Sequence, residues 1–135
     1  MPTVSRWMIR ASLVYLLAGF IIGAAILISK AYPSYSSVWS LLPIHIEMSI
    51  FGWIIQLTMG TAYWILPRYL KGTARGNPTT ARIMVIIFNA GILVNVFSFM
   101  NILPSTAIVL GRLLEVLAVI LFIALHWQRA VSYNK

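Results

Sequence analysis

The chain has no cysteine, and only two of its 135 residues are acidic. Without thiols there is no disulfide, no thiolate-ligated iron–sulfur cluster, no thioether-linked haem and no thiolate copper centre. Charge of either sign is scarce, at 9% of residues, and histidine occurs twice. A soluble domain of this size needs more polar surface than that. What is present is apolar: 61% hydrophobic residues and a mean hydropathy of +0.92. Apolar runs of about 20 residues recur, enough at ~1.5 Å per residue to cross a hydrocarbon core of roughly 30 Å. An open sheet is excluded at that depth, because unpaired backbone groups find no water. The length predicts one compact helical unit over 1–135, with no room for a separate soluble domain.

The pattern predicts an all-α membrane protein with four transmembrane helices, at about 7–29, 44–66, 80–100 and 106–128. Tyr32-Pro33-Ser34 breaks the chain after the first. A turn rich in glycine and charge, 72–78, follows the second, and a link with Pro104, 101–105, precedes the fourth. The longest connection, 30–43, carries Tyr32, Tyr35 and Trp39 as interfacial anchors. No cleavable signal is expected, since the first apolar run is too long for a signal core. Arg6, Arg10, Arg68, Lys71, Arg75, Arg82, Arg129 and Lys135 fall on one side, and Lys30 alone on the other. The bias puts both termini in the cytoplasm, in a multi-pass protein of the inner (cytoplasmic) membrane. The net charge of +8 flanks apolar spans instead of covering a soluble face, so no nucleic-acid partner is expected.

Few polar groups lie inside the spans, and ionisable ones are costly there. His45 stands at the outer end of the second. His45, Ser49, Gly52, Gln56, Gly60 and Tyr63 follow three- and four-residue spacing and form one polar or small face. Such a face serves either as a close helix–helix seam or as a bed for a flat cofactor against Gly52, with His45 reaching its metal. Glu47 points to a different side of the helix, as an interfacial carboxylate, a partner for Arg112 or a proton gate. Arg112 and Glu115 are three apart and can pair. Arg112 lies ~10 Å inside the outer end, from where its long side chain can meet an anionic group such as a haem propionate. His126 lies at the other end of its helix, roughly 25–30 Å from the level of His45, so one iron cannot take both. It reads as an interfacial residue. Asn89, Asn95, Ser98 and Asn101 read as interhelical packing groups. Met48 and Met59 stay open as ligands, though single methionines in apolar helices usually fill core.

The run from His45 to Trp53, continued by Met59-Gly60-Thr61-Ala62-Tyr63-Trp64-Ile65-Leu66-Pro67-Arg68, resembles helix II of the haem–copper oxidase catalytic subunit, nearest the nitric oxide reductase branch. The resemblance covers about 25 residues. The stretch from Gly111-Arg112 to Glu115 also resembles small bacterial membrane proteins of four spans that are like that subunit. In the family, a histidine at this place ligates a low-spin b-type haem. The resemblance therefore implies haem b, with His45 as the metal ligand and Gly52 and Gly60 beside the porphyrin. Arg112 and Glu47 are the further candidate cofactor-binding residues. The chain departs from the family in having four predicted spans where the oxidase subunit has many more. It also lacks histidines for copper, for a high-spin haem and for a second axial bond, so oxygen reduction by this chain alone is not implied.

These readings predict electron transfer, or binding of a diatomic gas (NO, O2 or CO), by a homo-oligomer in the lipid bilayer. The expected oligomer is a dimer or a trimer, and the resemblance implies that copies of a four-span unit can imitate the pseudo-threefold pattern of the large subunit. A respiratory-chain redox partner is implied alongside. The alternatives are an accessory subunit of a respiratory complex and a small proton-coupled transporter using Glu115.

Overall fold

The computed structural model describes residues 1–68 and 75–131, and the side chains of all of these save 33–35 and 131. Among the described residues there is no strand, and four helical stretches are long and apolar enough to cross a membrane. The chain is a multi-pass, all-helical membrane protein. Lys71, Lys135 and the 72–74 part of the predicted turn lie outside the described residues, as does the Tyr35 side chain.

The first span is α1 (Thr3–Ala31). The second is composite: a 3-10 segment (Pro33–Leu41), α2 (Leu42–Ile46), a π-helical segment (Glu47–Ile55) and α3 (Gln56–Ile65) run on from one another. The third and fourth spans are α4 (Pro78–Phe99) and α5 (Ala107–Val131). Each is longer than predicted at one end or both. The connection read as 30–43 is itself largely helical: Pro33 opens the 3-10 segment, and Ser40 bonds back to the Ser37 carbonyl (2.8 Å). Uninterrupted π-helix over nine residues was not predicted. Such stretches are rare, and they are frequent at functional sites.

The helix ends follow local chemistry. Leu66, ahead of Pro67, leaves the helical region (ψ 141°), as the proline ring requires. Asn77 caps α4, its Oδ1 accepting from the Thr79 and Thr80 amides, with Pro78 in the first helical position. Asn101 ends α4 in the left-handed region (φ 58°). The Ile102 amide then reaches the Phe97 carbonyl and the Asn101 amide reaches Ser98 (both 3.0 Å), a Schellman closure.

α1 lies along the second span and α4 along α5, and the pairs meet where α1 and the second span touch α4. Met8, Met84, Phe88, Ile92 and Ala118 are fully buried at the centre. Leu13, Val14, Leu17, Phe20 and Ile21 on α1 are all more than half exposed. Apolar outside with polar groups inside is the distribution that lipid demands.

Candidate functional site

The two histidines, the two carboxylates and the buried or paired arginines Arg112 and Arg129 fall into three separate places. The first surrounds His45. Its Nδ1 lies 2.8 Å from the Gly19 carbonyl oxygen on α1. A carbonyl oxygen can only accept, so Nδ1–H donates. In the neutral ring this leaves the Nε2 lone pair available, and Nε2 has no hydrogen-bond partner among the described residues. His45 lines an apolar cavity of about 460 Å³ between α1 and the second span, with Phe20, Leu27, Lys30 and Trp39. The Lys30 ammonium sits 5.0 Å over the Trp39 ring.

Two glycines of α1 make this contact possible. A Cβ on Gly23 would stand 2.7 Å from His45 Cε1, and a Cβ on Gly19 would stand 2.8 Å from Ser49 Oγ. Gly19 and Gly23 are one turn apart, as are His45 and Ser49, so two small positions receive two side chains in register. Sequence reasoning missed these two glycines. The signal was present as the Gly-x-x-x-Gly spacing of Gly19 and Gly23.

Gly52 faces elsewhere along the same seam. A Cβ there would lie 2.5 Å from Tyr15 Cγ, so the Tyr15 ring occupies the space against Gly52. The Tyr15 hydroxyl donates to Asn89 Oδ1 (3.1 Å), which also accepts from Gln56 Nε2 (3.3 Å). Gly60 receives Met8. The predicted face of the second span therefore divides: Ser49, Gly52, Gly60 and His45 meet α1, while Gln56 meets α4.

The second place gathers Glu47, Asn95, Arg112 and Glu115. Arg112 Nη2 donates to Glu47 Oε2 (2.7 Å), and Nη1 donates to Glu115 Oε2 (2.7 Å) and Glu47 Oε1 (3.2 Å). Asn95 Nδ2 donates to both carboxylates, at 3.1 Å and 2.9 Å. The two carboxylates are buried, whereas the Arg112 side chain is 39% exposed and its guanidinium lies 4.6 Å over the Phe51 ring. The predicted Glu47–Arg112 and Arg112–Glu115 contacts are thus one network joining the second span, α4 and α5. His45 is two residues from Glu47 but is turned to α1, outside this network.

The third place lies at the far end of the bundle. Arg129, counted above among the flanking cations, is fully buried. It donates to the Pro67 (2.8 Å), Leu66 (2.6 Å) and Tyr63 (3.2 Å) carbonyls and so caps the end of α3. His126, near the same end, is buried between Tyr63 and Phe122, with Nδ1–H donating to the Phe122 carbonyl (2.6 Å). Tyr63 is 18 residues beyond His45, roughly 25 Å along the span, so the two imidazoles cannot share a ligand.

No group of three or more His, Cys, Asp or Glu side chains placed to hold a bare metal ion occurs among the described residues. Compared with known proteins, the chain matches no family model, no curated protein and no solved structure.

Proposed function

We propose that this chain is a b-type haem-binding membrane protein, related to the haem–copper oxidase catalytic subunit, with His45 as the axial ligand. The observation that carries the proposal is the Nδ1–H bond from His45 to the Gly19 carbonyl. Histidines that ligate metals commonly donate their other ring N–H in this way, which fixes the ring and the tautomer. The cavity that His45 lines is apolar, and its volume falls within the range of roughly 300–1,000 Å³ usual for small-molecule sites. A porphyrin supplies its own equatorial nitrogens, so a single imidazole suffices where a bare ion would need several side chains. Bound haem would supply a one-electron couple and, with its sixth position open, a site for NO, O2 or CO.

The protein's own groups have distinct tasks in this reading. Gly19 orients the imidazole, and Gly23 leaves room for it. Lys30 lines the same cavity, which favours Lys30 over Arg112 as the propionate partner, since the Arg112 guanidinium is engaged by Glu47 and Glu115. Phe20 and Leu27 at the cavity are largely exposed, so a second copy of the chain would close the lipid-facing side. The Lys/Arg bias supports placing this electron transfer or gas binding at the outer face of the cytoplasmic membrane.

Absorption spectra of the detergent-purified protein, oxidised and reduced, with and without carbon monoxide, test this. A Soret band is expected, lost in His45→Ala with the helical content unchanged. A folded, colourless protein from haem-sufficient cells would overturn the reading.

A further inference from the structure

The sequence has two acidic side chains, Glu47 and Glu115, and both end in the ion cluster between the second span, α4 and α5. They are 1% and 3% exposed, and Asn95 beside them is wholly buried. Few groups face the pair. Arg112 on α5 is the one cation in contact with them among the described residues. α4 contributes the neutral Asn95 amide. α1 contributes Tyr15, which feels the Glu47 charge and whose hydroxyl is engaged by Asn89. His45 on the second span is turned to the Gly19 carbonyl. We infer that Glu47 and Glu115 together hold one proton, which makes the cluster a proton-binding site within the membrane span.

Two independent counts lead there. The first is of charge. With both carboxylates ionised, two negative charges share one positive partner. A buried charge without a partner of its own is expensive, and a group so placed takes up a proton instead of bearing it. The second count is of hydrogens. Asn95 Nδ2 donates to both carboxylates, at 3.1 Å and 2.9 Å, while Asn95 Oδ1 is buried without a donor. Gly111 encloses that oxygen, since a Cβ there would collide with it. A half-turn of the amide exchanges its oxygen and nitrogen at almost no change of shape. Oδ1 then stands within reach of both carboxyl groups, and a carboxyl can donate to it only when protonated. One added hydrogen thus removes the surplus charge and supplies the missing donor. A metal ion is the poorer occupant, because all four carboxylate oxygens already accept hydrogen bonds from Arg112 or Asn95. The site is separate from the His45 cavity, and the inference stands whether or not haem is bound there.

Because these are the only acidic side chains in the sequence, the proton can be counted directly. The full chain is made with glutamate carrying carbon-13 at its side-chain carboxyl and placed in phosphatidylcholine nanodiscs. Infrared difference spectra between labelled and unlabelled protein then separate the carbonyl band of a protonated carboxyl from the bands of ionised ones, free of lipid signal. Near neutral pH, a protonated band worth about one carboxyl per chain is expected, and it should shift in deuterated water. Glu115→Gln leaves Glu47 paired one to one with Arg112, so the protonated band should be lost. Should that variant fail to fold, Glu47→Gln makes the same test from the other carboxylate. A wild-type spectrum with both carboxyls ionised would overturn the inference. So would a protonated band that persists in the single variants. Replacing sodium with choline provides the competing arm. Two ionised carboxyls whose bands move with that exchange would assign the surplus charge to a metal cation and end the proton reading.

Discussion

One hydrogen bond governs what the His45 ring can offer. With Nδ1–H held by Gly19, the neutral ring has a single basic nitrogen left, and its direction is set by the rigid backbone of α1. Gly23 is as important as the bond, because the ring occupies the volume a side chain would fill. Gly23→Ala should therefore displace the imidazole. Under the proposed haem reading, the expected outcome is at least a tenfold loss of haem affinity by spectrophotometric titration, with α-helical circular dichroism unchanged. His45 stood out in the sequence as one of two histidines and as the one at a span's outer end. Its acceptor did not, because a backbone carbonyl leaves no mark in residue type.

The second span owes its geometry to the π-helical segment. Nine residues of wider winding, Glu47–Ile55, separate His45 from Gln56 and Tyr63. This shifts the angular phase between those ends away from that of an ideal helix. Periodicity counting assumes 3.6 residues per turn, so it places six polar or small residues on one face where the structure sends four to α1, Gln56 to α4 and Tyr63 to α5. Deleting Ile50, an exposed position in the segment, should rotate the two halves relative to each other by one residue's winding and so turn His45 away from α1. The Soret band should disappear while four spans remain by protease mapping. The link after α4 gives a second expectation. Asn101 holds a left-handed conformation that a β-branched residue resists. Asn101→Val should destabilise by about 1–2 kcal/mol, and Asn101→Gly should not, in reversible unfolding measured in mixed micelles.

Across the bundle, polar groups hold the apolar spans in place. Between neighbouring spans in lipid there is no hydrophobic driving force, so close packing and buried polar bonds fix which faces meet. Glu47, Asn95, Arg112 and Glu115 tie three spans at one end, and Arg129 ties α5 to the close of α3 at the other. Removing the cation leaves two buried carboxylates facing each other. Arg112→Ala should cost roughly 3–5 kcal/mol, read as a lower unfolding midpoint, and Glu115→Gln should recover part of that loss in the double variant. Exposed apolar residues on α1 cost nothing in lipid and leave the His45 cavity open to a second surface. Cross-linking of single-cysteine variants at Phe20 or Leu27 in native membranes checks whether that surface is another copy.

Composition and run length were enough to reach the membrane, the helical class and the number of spans, because hydrocarbon forbids every alternative to satisfied backbone. They also singled out His45, Glu47, Arg112 and Glu115, because ionisable residues are rare at that depth and conspicuous. Folding chose the partners. Whether Arg112 met Glu47, Glu115 or both depended on how three helices approach, and that approach rests on glycines whose contribution is absent volume. The burial of His126 and Arg129 followed from the docking of α5 onto the end of α3. Neither residue carries any local sign that a distant helix will supply its neighbours.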